Sequence, residues 1–175
     1  MAVYLDNSAT TKPCKEAVKA VCSALEENYG NPSSLHNIGI AAAKAVINAR
    51  QSIADMMDCE KEEIFFTSGG TEANNLAVFG AAYANRRKGN RIVTTAIEHE
   101  SIMQSMDELE KEGFEIIRLL PDRFGFISIS DFAKAINEKT ILVSAMYINN
   151  EVGSVLPVEK IKKITVRAGA PALIH

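Results

Sequence analysis

The sequence predicts an α/β fold: a mostly parallel sheet flanked by helices in three layers. Two observations carry this expectation. Short apolar runs of strand length alternate with longer segments whose apolar residues recur at helical spacing, the signature of βαβ units. Three loops, at 68–75, 98–101 and 149–153, each follow a predicted strand, where open parallel sheets bind their ligands, and each is unusually polar for its neighbourhood.

The elements follow in order. Pro13 suits a first helical turn, and Ala17, Val18, Val21, Cys22 and Leu25 then recur at helical spacing until Gly30 and Pro32 end the helix. A second helix is expected over 38–57, with Val46, Ile47, Ile53 and Met57 on one face. The apolar run 64–67 reads as a strand, followed by Ser68-Gly69-Gly70-Thr71 and a helix to Asn85. Strands are expected at 91–95, 115–120, 141–146 and 172–174, with helices at 101–112, 131–137 and 158–167. The final strand begins at the end of the sequence with no turn or cap after it, so the chain is expected to be part of a longer protein.

Composition narrows the function classes. In 175 residues, hydrophobic residues make up 47% and charged residues 23%, ordinary for a globular domain. A formal net charge of -3 with dispersed basic residues argues against nucleic acid as a partner. No apolar stretch reaches the length of a membrane span, and the opening residues lack a signal peptide's basic and apolar regions. Cys14, Cys22 and Cys59 are odd in number and widely spaced, which points to a reducing compartment, the cytoplasm, and away from a disulfide framework or metal site.

Three segments carry the candidate chemistry. In Thr67-Ser68-Gly69-Gly70-Thr71-Glu72-Ala73-Asn74-Asn75, two glycines let backbone approach a ligand, and the following helix N-terminus with the Thr71 hydroxyl suits a phosphate. The same residues also read as a plain strand-to-helix turn with Thr71 as N-cap. No Gly-Lys-Ser/Thr or GxGxxG follows, so a nucleotide fingerprint is missing. His99, directly after a strand, suits stacking on a planar cofactor or proton exchange, or else local hydrogen bonding in a loop. Met103 breaks the spacing of a zinc-protease HExxH motif. Asn149-Asn150-Glu151 suits either ligand hydrogen bonding or turn chemistry. Asn31–Ser34 is consistent with a turn, and nothing in the sequence assigns His36 a role.

Taken together, Leu5-Asp6-Asn7-Ser8-Ala9-Thr10-Thr11, Gly30-Asn31-Pro32-Ser33-Ser34, the 67–75 segment, Glu98-His99 and the 149–153 loop resemble the cysteine desulfurases in order and approximate spacing. These are fold-type I pyridoxal-phosphate (PLP) enzymes of the class V aminotransferase group. The Gly-Gly-Thr-Glu-Ala-Asn-Asn and Asn-Asn-Glu-Val-Gly stretches resemble the branch serving iron–sulfur cluster assembly and thiolation. The resemblance implies that 13–175 form an incomplete PLP-transferase large domain and that 1–12 associate with the small domain and active site. It implies that Gly70 and Thr71 bind the cofactor phosphate, that His99 stacks on the pyridine ring and assists proton transfer, and that Asn150 contacts the ring hydroxyl side and the substrate carboxylate. It further implies L-cysteine as substrate, alanine and an enzyme persulfide as products, a homodimer, and a sulfur-acceptor or scaffold protein as partner.

The family's Ser-x-His-Lys Schiff-base lysine, its pyridine-pairing aspartate and its persulfide cysteine loop have no match in these residues. The three cysteines present are read as structural. The chain alone is therefore expected to be inactive. Two alternatives stand beside this reading: another lyase or transaminase on the same fold, and a non-catalytic short paralogue acting as a binding module.

Overall fold

The computed structural model describes residues 3–175, which divide into two compact units, 3–66 and Thr67–His175. The first unit holds helices α1 (Lys15–Glu26) and α2 (Asn37–Met57) and a 3-10 turn, Lys61–Glu63. α1 starts one residue after Cys14, whose Sγ accepts from the Ala17 amide at 3.4 Å. α2 is capped by His36, whose Nδ1 accepts from the Gly39 amide at 3.3 Å, giving that histidine a structural task. The Gly30–Ser34 motif builds the entry to this helix. The Asn31 side chain and carbonyl accept from Ser33 and Ser34, each at 2.9 Å, and a Cβ on Gly30 would fall 2.5 Å from the Ile38 carbonyl. α2 ends on Asp58 in the left-handed region at φ 52°, a conformation that short polar residues tolerate.

The apolar stripes expected on both helices form, but they stay uncovered. Val18, Val21 and Leu25 on α1, and Val46, Ile47, Ile53 and Met57 on α2, are all exposed. The predicted strand at 64–67 is not a strand. Strands exist only through ladder partners, and this run has none among the described residues. Instead the Ile64 carbonyl accepts from Arg50 Nε at 3.1 Å, and the Arg50 guanidinium lies over the Phe66 ring.

The second unit carries the sheet. Strands β1 (Arg91–Thr95), β2 (Glu115–Leu119), β3 (Thr140–Ala145) and β4 (Ala172–Ile174) are all parallel, in the order β2-β1-β3-β4. Helices α3 (Gly70–Asn85) and α4 (Glu100–Lys111) bury Val78, Ala82, Ile102, Met106 and Leu109 against Ile92, Ile116 and Leu142 of one sheet face. Helices α5 (Ile129–Ala135) and α6 (Val158–Ala168) bury Phe132, Ala135 and Ile161 against Val93, Val143 and Ala145 of the other. Alternate strand residues therefore serve opposite cores, which explains why β3 is buried at every position. The four predicted strands of this unit and its helices form within one or two residues of their expected bounds. The three-layer α/β/α expectation holds here.

Chain direction across the sheet positions the site. From β1 the chain crosses by α4 to β2, then returns by α5 over β1 to β3, and continues by α6 to β4. Strand order thus reverses between β1 and β3, where the loops leaving their carboxyl ends diverge to opposite faces and open a crevice.

The two cores give a direct test. Leu109→Ala and Phe132→Ala, both fully buried, should each lower the unfolding free energy by about 3–5 kcal/mol in equilibrium urea denaturation. Lys111→Ala, which removes an exposed ion pair with Glu108, should leave the urea midpoint unchanged.

Candidate functional site

The crevice between β1 and β3 opens into a cleft of about 430 Å³, lined by Gly70, Thr71, His99, Asn150, Met146 and His175 among others. All four residues singled out from the sequence as cofactor-binding, Gly70, Thr71, His99 and Asn150, share this one cleft. They come from three segments that are distant in sequence: the start of α3, the loop after β1 and the loop after β3.

The α3 terminus is built without a side-chain cap. Its N-cap is Gly69 and its first intrahelical bond runs from the Ala73 amide to the Gly69 carbonyl at 3.1 Å. Thr71 is therefore the second helical residue, and the reading of Thr71 as N-cap is corrected. The amides of Gly70, Thr71 and Glu72 precede that bond and have no intrahelical partner, which concentrates positive dipole charge at the cleft. A Cβ added to Gly69 or Gly70 would meet no described atom within 4 Å. Packing within the chain thus gives no reason for these two glycines, of which Gly70 lines the cleft. Glu72 fastens the loop by accepting from the Ser68 amide and hydroxyl, both at 2.6 Å. Those two bonds hold its carboxyl below the usual range.

His99 is the N-cap of α4, and its Nδ1 accepts from the Ser101 amide at 3.1 Å. The neighbouring asparagines have divided tasks. Asn149 is buried and knits the two loops together. Its Nδ2 donates to the Ile97 carbonyl at 2.7 Å, while its Oδ1 accepts from the Glu151 and Val152 amides, each at 2.9 Å. Asn150 is exposed in the cleft and makes no side-chain hydrogen bond among the described residues. Turn chemistry is thus the task of Asn149, while Asn150 lines the cleft.

Two further residues, Glu98 and His175, are paired only in three dimensions. The Glu98 side chain is 0% exposed. It accepts from the Thr95 hydroxyl at 2.5 Å and the Met146 amide at 3.1 Å, and its Oε2 lies 2.5 Å from Nε2 of His175. His175 also lines the cleft. The sequence offered a signal for Glu98 in its place beside His99, but none for its partner 77 residues away.

Among the described residues no cluster of three His, Cys, Asp or Glu side chains is placed to hold a metal. No helix there is long and apolar enough to cross a membrane.

Two outcomes follow from this geometry. Glu98→Ala strands two buried donors, the Thr95 hydroxyl and the Met146 amide, and removes the partner of His175; it should cost about 3–5 kcal/mol in urea denaturation, whereas Glu98→Gln, which keeps an acceptor oxygen, should cost less. Because the Glu72 carboxyl is depressed in the folded state, its stabilisation is fully present above about pH 4.5, the ordinary value, and is lost as pH falls through the depressed one. Melting curves between pH 6 and pH 3 should therefore show a smaller acid-induced drop in Tm for Glu72→Gln than for the unmodified chain.

Comparison with known proteins places this architecture. The aminotransferase class-V family model matches residues 3–174. Cysteine desulfurase IscS of Clostridium botulinum is 47% identical over 162 residues, covering 93% of this chain and 41% of that protein. Among solved structures, a NifS-like protein superposes with a TM-score of 0.93 at 35% identity, covering 100% of this chain and 48% of its own. A structure described as SspA in complex with cysteine superposes at 0.91 and 32% identity, covering 98% of this chain and 49% of its own. The chain thus spans less than half the length of these proteins. It belongs to the class-V aminotransferase family, and that membership implies use of PLP.

Proposed function

We propose that the whole protein is a PLP-dependent cysteine desulfurase, converting L-cysteine to L-alanine and leaving the sulfur as an enzyme persulfide for iron–sulfur cluster or thiolation pathways. One observation carries the reading: Gly70, Thr71, His99 and Asn150 converge on a single cleft where strand order reverses. The names of the related proteins favour a desulfurase over other class-V activities.

The cleft fits the cofactor. Bare glycines and unpartnered first-turn amides at α3 suit a dianionic phosphate, which an added Cβ at Gly70 would crowd. The Thr71 hydroxyl adds a further donor. His99 offers a flat imidazole, and Met146 and Ile148 give the cleft an apolar contribution for a planar ring. Asn150 has a free amide for a ring hydroxyl or a substrate carboxylate. When bound, the cofactor supplies an electron sink for the carbanion left at the substrate's Cα.

This chain's own residues hold the phosphate, orient the ring and manage a proton at His99. In the net reaction an enzyme thiolate takes the substrate sulfur: the Cβ–S bond breaks, an S–S bond forms, and the released carbon takes up a proton to become the alanine methyl. Cys59 is unsuited to that thiolate role, because partial burial and the neighbouring Glu63, Asp58 and Glu60 push its thiol up. We place the persulfide cysteine, the Schiff-base lysine and the pyridine-pairing aspartate in the remainder of the whole protein. The same reading assigns 13–175 to an incomplete large domain and 1–12 to the small domain and active site. It also includes a homodimer, a cytoplasmic location and a sulfur-accepting partner.

Incubated with L-cysteine, the whole protein should release alanine in step with persulfide. Alanine from another amino acid but not from cysteine would point instead to a lyase or transaminase of the same family. Absence of both cofactor and turnover would favour a binding module. His99→Gln should lower kcat by on the order of 10²–10⁴-fold. Gly70→Val should reduce the PLP retained through gel filtration, read from its visible absorbance.

A further inference from the structure

A short hydrogen-bond chain runs from the N-terminal part of α3 to the imidazole in the cleft. Asn74 Nδ2 lies 2.9 Å from Ser101 Oγ, and Ser101 Oγ lies 2.8 Å from His99 Nδ1. The direction of every bond in this chain follows from one group whose role is fixed. A backbone N–H can only donate, and the Ser101 amide points at His99 Nδ1 at 3.1 Å. Nδ1 therefore carries its lone pair, and in the neutral ring the proton sits on Nε2. A hydroxyl 2.8 Å from a nitrogen lone pair must donate to it. The Ser101 oxygen is then left as acceptor for the Asn74 amide, which also fixes the orientation of that side chain.

The surroundings keep this chain rigid. Ser101 is 6% exposed, so solvent competes little for its hydroxyl. Asn75, the next residue of α3, donates to the Thr71 carbonyl at 2.7 Å, and its Oδ1 lies 2.9 Å from the Ser105 hydroxyl on α4. The helix that begins at Gly70 and Thr71 thus also sets the angle of the imidazole.

We propose that Ser101, oriented by Asn74, is a positioning residue that locks His99 as its Nε2–H tautomer, so that the cleft receives a proton donor from a ring of fixed orientation. The functional consequence rests on the reading of His99 as the group that faces the cofactor. The tautomer itself does not depend on that reading.

The test uses the whole protein labelled with ¹⁵N-histidine, with the His99 resonances assigned by their loss in His99→Gln. In the neutral form His99 should show the Nε2–H pattern, with and without PLP. Ser101→Ala and Asn74→Asp each leave the Ser101 backbone amide as the single donor to Nδ1 and should let a minor Nδ1–H population appear beside the Nε2–H form; in the latter the new carboxylate draws the Ser101 hydroxyl proton away from Nδ1. Both should lower kcat by about tenfold to a hundredfold with KM little changed. Ser101→Thr, which keeps the hydroxyl, should restore the pattern and the rate. A proton on Nδ1 in the unmodified protein, or an unchanged His99 pattern and kcat in both Ser101→Ala and Asn74→Asp, overturns the proposal. A protein that shows the Nε2–H form, responsive to these variants, yet releases no alanine from cysteine refutes the desulfurase reading and leaves the tautomer lock standing.

Discussion

The architecture of the site depends on one buried carboxylate. Glu98 lies just beyond the end of β1 and takes donors from three places: Thr95 within β1, the Met146 amide after β3, and His175 after β4. A fully desolvated acid is tolerated only when its oxygens are satisfied. Its presence therefore forces the carboxyl ends of three adjacent strands into one fixed arrangement. The β1 and β3 loops that frame the cleft leave from those ends. Asn149 repeats the device a few residues further out by tying the β3 loop to the Ile97 carbonyl.

On that fixed base the cleft is assembled from groups left deliberately unsatisfied. The first-turn amides of α3, the Asn150 side chain and Nε2 of His99 make no internal hydrogen bond among the described residues, unlike Asn149, Glu98 and Ser101. Contrast between neighbours in sequence is the recurrent pattern. Asn149 is committed to the fold while Asn150 is free; Glu98 is buried while His99 faces the cleft. A rigid satisfied layer beneath an unsatisfied one is what preorganised binding requires, because the loops need no reordering when a ligand arrives.

The two units differ in how completely they bury themselves. The second has a core on each sheet face. The first leaves the apolar stripes of α1 and much of α2 exposed, along with Phe65 and Phe66. Exposed apolar surface of that kind ordinarily meets protein rather than water, and the chain spans 41% of the length of the Clostridium botulinum relative.

Periodicity in the sequence was enough to determine which segments become helices and the four strands of the sheet, because alternating burial on two sheet faces leaves a readable pattern of apolar residues. It also marked the segments 68–75, 98–101 and 149–153 as places to look, since bare glycines at a helix start and polar residues at strand ends depart visibly from their apolar surroundings; within them, the resemblance to the cysteine desulfurases singled out Gly70, Thr71, His99 and Asn150. Tertiary structure decided what depends on partners. Residues 64–67 have strand composition but no ladder partner among the described residues, so they remain extended coil. Thr71 has the chemistry of an N-cap, yet the cap falls two residues earlier, at Gly69. Nothing local distinguishes Asn149 from Asn150, or pairs Glu98 with His175 or Asn74 with Ser101. Those assignments arise only when strand order reverses between β1 and β3 and brings distant loops within hydrogen-bond reach.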